Sequence, residues 1–326
     1  MMEPVLNYET ARQIHAVLVL HFVEGLKQSE IASKLNLSTS KVNRLIAQGR
    51  KMGMVKIDIE SRFQHLIDFE KQMVKTTGLT SAVITPTASG NPDTTLQQVG
   101  RAAANLLLET VRDGDVIAIT GGKAISAIVD NINSDTERDV TVVPLTGGVQ
   151  GKYFTDVNHL ATRLAERLGG KAVLVHAPLF AETQAQRDML MDVGSVRDVF
   201  DMARKADIAL LGIGSIHAAG SSYYDLNPVP EADRQMLAQS GVVAELLAHL
   251  IQDDGAVADY PLNNRLVALA PGSLADCGRV IGIAAGEEKS RPIRAALNGG
   301  YLDALVLDEE TALTVLNTKE SNNNVT

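Results

Sequence analysis

Residues 26–52, LKQSEIASKLNLSTSKVNRLIAQGRKM, set the reading of this chain. Ile31, Ala32 and Leu35 fall on one face of a short helix, and Val42, Leu45 and Ile46 on the inner face of a second. Between them Asn36-Leu37-Ser38 supplies a turn, with Leu37 placed to plug the gap between the helices and Ser38 or Thr39 to cap the second one. The spacing is that of a helix-turn-helix. Its second helix turns Thr39, Ser40, Lys41, Asn43, Arg44 and Gln48 outward, side chains able to reach phosphates and base edges when a helix lies in a DNA major groove. With Gln28 and Ser38, all of these but Gln48 form the candidate DNA-binding set.

A polar outer face belongs to any amphipathic helix pair, so charge has to separate the readings. Residues 10–56 hold eight Lys/Arg against Glu24 and Glu30, a net +6 in a chain of −9, which leaves −15 for the remainder. A basic module on an acidic body suits a polyanion partner and confines contact to the module. The chain lacks Trp and only 4% of it is aromatic, which argues against the stacking platforms that bind single strands and favours duplex DNA.

At roughly 100–200 residues per domain, 326 residues allow a small domain and one or two larger ones. A single cysteine, Cys277, excludes an internal disulfide and fits a reducing cytoplasm; the residue reads as a small buried hydrophobe. The apolar run 16–23 is far short of the ~20 residues a membrane span needs, and a cytoplasmic protein is expected. His15 and His21 have no Cys or carboxylate at ligand spacing, so neither metal nor cofactor is expected.

Ahead of the helix-turn-helix, residues 10–24 predict a helix with Ile14, Val17 and Leu18 inward; behind it, Met54–Glu60 alternates like a short wing strand. Residues 63–77 predict a linker helix interrupted by Glu70 and ended by Gly78. From residue 79 the pattern becomes apolar strand, glycine loop, amphipathic helix, repeated. Strands are expected at 115–119, 140–144, 171–176, 207–212, 279–284 and 304–307. Such alternation predicts a doubly wound, mostly parallel α/β sheet covered on both faces, with ligand-binding loops gathered at the carboxyl ends of its strands. The expected domains are 1–60 (helix-turn-helix), 61–78 (linker helix), 79–317 (α/β effector-binding domain) and 318–326 (flexible polar tail).

Three glycine loops carry candidate chemistry. Gly121-Gly122 stands between a strand and a helix, where backbone N–H groups and the helix dipole favour an anion, with Lys123 and Ser126 as possible side-chain donors. Thr146-Gly147-Gly148 has the same form, and in each case the glycines alone could serve a tight turn. In Gly286-Glu287-Glu288-Lys289 a cation stands where a helix begins, against the dipole, which suits an anionic ligand better than stability. Glu245 and, more weakly, Asp259 with Asn263 could accept from ligand hydroxyls; the alternatives are a solvated helix residue and a turn cap.

Across nearly its whole length the chain resembles the SorC family of sugar-responsive bacterial transcription regulators. The match runs through GLKQSEIASKLNLSTSKVNRLIAQGRKMGMVKI, ADIALLGIGS, DYPLNNRLVAL and RVIGIAAGEEKSRPIRAALNGGYLDALVLDEETALTVL. The resemblance implies an operator-binding helix-turn-helix and an effector domain like the glucosamine-phosphate deaminase and ribose-phosphate isomerase fold, used for sensing without turnover. It also implies a homo-tetramer, often a dimer of dimers, and phosphorylated sugars or polyols as effectors. By position it implies an effector pocket of Gly121, Gly122, Lys123, Thr146, Gly147, Gly148, Glu245 and Lys289, with no catalytic residue. Two departures stand out. Lys27 replaces the usual Thr of a capping box with Glu30, so the reciprocal cap cannot form, and TGGKAIS (120–126) lacks the aromatic residue common in the first glycine loop, which implies a different effector, one with more negative charge. The rival readings are an isomerase- or deaminase-like enzyme carrying a DNA-binding module, and a structural DNA-binding protein with a vestigial pocket. No Asp/Glu/His pair in the glycine loops is placed convincingly for the proton transfers such an enzyme needs.

Overall fold

The computed structural model describes residues 8–56, 61–88, 90–133, 137–149, 156–217 and 239–323, with Tyr223, Arg234, Gln235 and Leu237. The chain divides into two compact units, Met1–Arg62 and Phe63–Thr326.

In the first unit, α1 (Tyr8–Leu18) runs into a π-helical turn (Val19–Val23), then α2 (Gln28–Lys34) and α3 (Thr39–Lys51). Ile14, Val17, Leu18, Ile31, Ala32, Val42, Leu45 and Ile46 form one buried cluster, and Leu37 packs against it as the sequence predicts. The turn works because Asn36 takes the left-handed conformation that Asn tolerates (φ 53°) and Ser38 Oγ accepts the Lys41 N–H at 3.2 Å. Before α2 only half of a capping box exists: Glu30 Oε2 accepts the Lys27 N–H at 2.7 Å, and a lysine side chain has no acceptor with which to reciprocate. Residues 54–56 of the expected wing strand are not in a strand, and the rest of that strand lies outside the described residues.

The second unit opens with α4 (Gln64–Thr77), stopped by Gly78 in the left-handed conformation. Glu70, the break in its apolar stripe, accepts the Ile84 N–H at 2.9 Å and so ties the helix to the first strand. The strands are β1 (Ser81–Thr85), β2 (Val116–Ile119), β3 (Thr141–Pro144), β4 (Lys171–Ala172), β5 (Ile208–Gly212), β6 (Gly214–Ser215), β7 (Val242–Leu246), β8 (His249–Gln252), β9 (Val280–Ile283) and β10 (Ala304–Asp308). Between them lie α5 (Pro92–Thr110), α6 (Lys123–Asn131), α7 (Val157–Leu168), α8 (Gln184–Asp192), α9 (Gly194–Arg204) and α10 (Ser290–Asn298), and α11 (Glu309–Asn323) follows β10. Seven strands form a parallel sheet in the order β1-β10-β9-β5-β2-β3-β4; β6, β7 and β8 form a small antiparallel one.

Apolar residues on both sides of each strand explain the doubly covered sheet. Ile117, Ile119, Ile208, Leu210, Ile281 and Val306 pack with α5, α6 and α7, while Ala118, Val143, Leu211, Leu305 and Leu307 pack with α4, α9, α10 and α11. From β2 the chain winds outward through β3 and β4; from β5 it winds the other way through β9 and β10. The loops after β2 and β5 therefore diverge and leave a crevice at the carboxyl edge.

Two expectations are corrected. The strand at 171–176 shrinks to β4 at the sheet edge, and 318–323, expected to be a free polar tail, continue α11.

Candidate functional site

The crevice is a cleft of about 340 Å³, within the range of small-molecule sites. Thr120 and Gly121-Gly122-Lys123 line it after β2, Thr146-Gly147 after β3, Gly212-Ile213-Gly214 after β5, and Glu288-Lys289 after β9. Glu245, Leu247 and Ala248 of the β7–β8 hairpin and Asp93 at the start of α5 complete the polar and near-polar wall. Of the eight residues that the resemblance places in the effector pocket, only Gly148 lies outside the lining; Ser126, Asp259 and Asn263 lie outside it as well.

The two Gly-Gly loops prove unlike each other. Gly147 N–H donates to Val267 O at 2.7 Å and Gly148 N–H to Ala177 O at 2.9 Å, so neither amide is available to a ligand. A Cβ on Gly147 would lie 2.6 Å from Pro178 O, so close backbone packing is what requires that glycine. Among the described residues, by contrast, the Gly121 and Gly122 amides donate to nothing in the protein. Gly122 has φ 114°, and the amides stand just ahead of α6, whose dipole favours an anion there.

Glu245 lies on strand β7, so the alternative reading of it as a solvated helix residue does not hold. Burial pushes its carboxyl pKa up, against the opposing pull of the Ala248 N–H, which donates to Oε1 at 2.6 Å, and of Lys289. The other oxygen, Oε2, lies where a Cβ on Gly214 would be, so a glycine at 214 makes room for the carboxylate. Lys289 leads into α10 from the 3-10 turn Glu287–Lys289. Desolvation pulls its ammonium pKa down, Glu245 and Glu288 push it back up, and Lys123 adds like-charge repulsion. Among the described residues it forms no ion pair. A desolvated cation and free backbone donors lining one cleft are groups that can serve an anion, and the carboxylates there are groups that can accept from hydroxyls.

Asp259 is exposed, and Asn263 is spent on structure, accepting from Leu250 N–H and donating to Leu250 O and Ala258 O. Ser126 is buried and outside the lining. Cys277 is half-buried, with Sγ against the Ala203 and Arg204 carbonyls, and burial pushes its thiol pKa up. Asp93, Leu247 and Ala248 carry no motif and were missed in the sequence; Gly212 to Gly214 could have been found as another glycine-bearing strand end. No group of His, Cys, Asp and Glu among the described residues could hold a metal ion.

In the first unit, Thr39, Ser40, Asn43, Arg44 and Gln48 are exposed on α3, Ser38 is exposed at its cap, and Lys41 and Gln28 are half-buried. Lys41 and Arg44 form no ion pair among the described residues, so both charges are available to a polyanion.

A helix-turn-helix unit joined to a sugar-binding α/β unit defines a transcriptional regulator. Residues 61–317 match the family described as "Putative sugar-binding domain", and residues 15–52 match "Sigma-70, region 4". The chain belongs to the SorC family of transcriptional regulators. It is 32% identical over 91% of its length to the erythritol catabolism regulatory protein EryD of Brucella abortus, covering 94% of that protein. It is 29% identical to the transcriptional regulator LsrR of Klebsiella pneumoniae, over 91% of this chain and 90% of the relative. The full-length sorbitol operon regulator SorC of Klebsiella pneumoniae superposes with a TM-score of 0.73 at 26% identity, over 95% of this chain and 100% of that one. These relatives are named as regulators and not as enzymes, which disfavours the isomerase or deaminase alternative. No helix among the described residues is long and apolar enough to cross a membrane.

Proposed function

We propose that this regulator reads duplex operator DNA of a carbohydrate or polyol catabolic operon through α3, and that a small phosphorylated sugar or polyol in the cleft sets its affinity. Gln28, Ser38, Thr39, Ser40, Lys41, Asn43 and Arg44 form the DNA-reading set. Gly121, Gly122, Lys123, Thr146, Gly147, Glu245 and Lys289 form the effector wall; Gly148 supports it from behind.

One observation carries the effector reading: free Gly121 and Gly122 amides share a cleft with the desolvated Lys289 ammonium. Those groups suit a phosphate, and Glu245 with Asp93 suits the hydroxyls of a polyol. The named functions of the relatives, erythritol catabolism and a sorbitol operon, favour that polyol class.

A recognition helix of this kind reads paired half-sites, so the working form is a homo-oligomer, on the family pattern a tetramer, acting in the cytoplasm. Phe63, just ahead of α4, and Ile67, one turn into it, are both exposed and offer an apolar strip for pairing with a second copy.

The test is a thermal-shift series of polyols and sugars with their phosphate esters. A ligand at 100 times its Kd stabilises by about 2.7 kcal/mol. The phosphate ester should shift melting and its parent polyol should shift it less, with the same rank order in operator binding. A series in which no ester shifts melting, or only the unphosphorylated compounds do, ends the phosphate reading.

A further inference from the structure

Asp308 closes β10 with a carboxylate that is 1% exposed and engaged on both oxygens. Oδ1 accepts the Gly286 N–H at 2.8 Å and the Thr311 hydroxyl at 2.7 Å. Oδ2 accepts the Thr87 hydroxyl at 3.0 Å and the Thr311 N–H at 3.2 Å. Thr87 Oγ1 in turn accepts the Glu310 N–H at 3.0 Å.

The Thr311 bonds need no explanation beyond helix capping, since Asp308 precedes α11 and Thr311 is in its first turn. The Gly286 and Thr87 bonds do something else. They fasten the loops after β9 and β1 to the end of β10, three chain segments on one carboxylate at the edge of the sheet that carries the cleft.

Gly286 is where this matters. It turns at φ 102°, a conformation that favours glycine, and its carbonyl accepts the Lys289 N–H at 2.9 Å, closing the 3-10 turn. That turn carries Lys289 to the cleft wall. A desolvated ammonium on a flexible stem, with no ion-pair partner among the described residues, gains by swinging out to water. Glu245 and Glu288 attract it without forming an ion pair, so the backbone turn decides whether the ammonium starts from a place where it reaches the cleft.

We propose that Asp308 is the positioning residue of the anion subsite: by fixing the Gly286 N–H it sets the turn that keeps Lys289 in the cleft, without touching a ligand. The proposal rests on the cleft being an anion site, and its test keeps the two apart.

The full chain is compared with Asp308→Asn, Asp308→Ser and Thr311→Val. Asparagine replaces one of the two acceptor oxygens with an NH2 group, and either orientation sets that group against a backbone N–H, Gly286 at Oδ1 or Thr311 at Oδ2. Serine keeps a good cap for α11 but is too short to reach Gly286, and it serves if the asparagine variant does not fold. Thr311→Val removes one bond from the same carboxylate and leaves the Gly286 bond in place, so it controls for lost stability alone.

The first readout needs no ligand. Competitive acetylation of Lys289 across pH, read by mass spectrometry, reports the environment of its ammonium, which Glu245, Glu288 and Lys123 share. Both Asp308 variants should move the Lys289 profile up toward that of an ordinary surface lysine, and Thr311→Val should not. The second readout is inorganic phosphate: each variant's melting shift, taken from its own ligand-free baseline, should fall about tenfold in apparent affinity for the Asp308 variants and stay near wild type for Thr311→Val. Unmoved Lys289 profiles in both Asp308 variants, or a profile that Thr311→Val moves equally, overturn the positioning role. A moved profile in a protein whose wild type ignores phosphate upholds the positioning of Lys289 and removes the anion reading.

Discussion

Glu245 Oε1 accepts the Ala248 N–H at 2.6 Å, and that contact spans a turn in which Leu247 and Ala248 both have positive φ (51° and 64°) without being glycine. Such turns are normally built from Asn and Gly. Here the conformation is held by a carboxylate that also lines the cleft, so the wall of the cleft and the strain of the hairpin share one side chain.

Removing that acceptor should therefore loosen the turn. Glu245→Ala is expected to destabilise the chain by about 1–3 kcal/mol, and Glu245→Gln, which keeps an acceptor oxygen, by less than about 1 kcal/mol. Urea denaturation of both variants checks this, and equal midpoints would show that the hydrogen bond does not hold the hairpin.

The strain itself is testable at Ala248, which is buried with 6% exposure. Glycine there gains conformational ease and loses one methyl group, so Ala248→Gly should change stability by less than about 1 kcal/mol. Ala248→Val puts a β-branched residue at positive φ and should cost more than about 2 kcal/mol. Calorimetric melting of the pair decides, and a harmless valine would mean the turn is free to change type.

Residue 245 also shows where sequence reading stops. The segment AELLAHL is rich in helix formers, and a solvated helix was the natural alternative for its glutamate. It forms a hairpin because Asn263, beyond the hairpin, bonds the backbone of Leu250, and because Glu245 Oε1 holds the turn in which Leu247 and Ala248 are left-handed. The loops at 120–122 and 146–148 share the letters TGG, yet only the first leaves its amides free; the difference is made by Val267 and Ala177, which local pattern cannot see. The helix-turn-helix was legible because its signals are local: Leu37 fills, Ser38 caps, and Val42, Leu45 and Ile46 repeat at helical spacing. The parallel sheet was legible for the same reason, whereas Asp308 looked like any helix cap.

His249 supplies a pH prediction. It is buried, with Nδ1 3.0 Å from Leu247 O, and desolvation pulls its pKa from 6.5 to about 4. The folded state thus refuses a proton that the unfolded chain accepts, so stability is full above pH 6.5 and falls as pH drops to about 4. At about 1.4 kcal/mol per unit the loss is about 3 kcal/mol. Urea titrations across that window should show it, with the acid loss flattened in His249→Gln; an unchanged slope in the variant would assign the loss to other groups.

On the DNA-reading unit, Arg44→Ala should weaken operator binding by about 1–3 kcal/mol if Arg44 reaches a base, and its effect should be largest on the preferred sequence. Ser38→Ala should instead lower the stability of that unit by about 1 kcal/mol through the lost cap. Gel-shift titrations at fixed salt with melting curves separate the two, and an Arg44 variant with wild-type footprints would move the reading face elsewhere on α3.

The pairing of β1 with β10 has a consequence for how the molecule is made. Among the described residues, Ser81 to Thr85, shortly after the linker helix, find their strand partners only in Ala304 to Asp308, near the far end of the same unit. The first unit, with a core of its own, can finish on the ribosome early; the second is stitched shut only once residue 308 has been synthesised, and a nascent chain halted before then carries a folded helix-turn-helix ahead of an unclosed sheet.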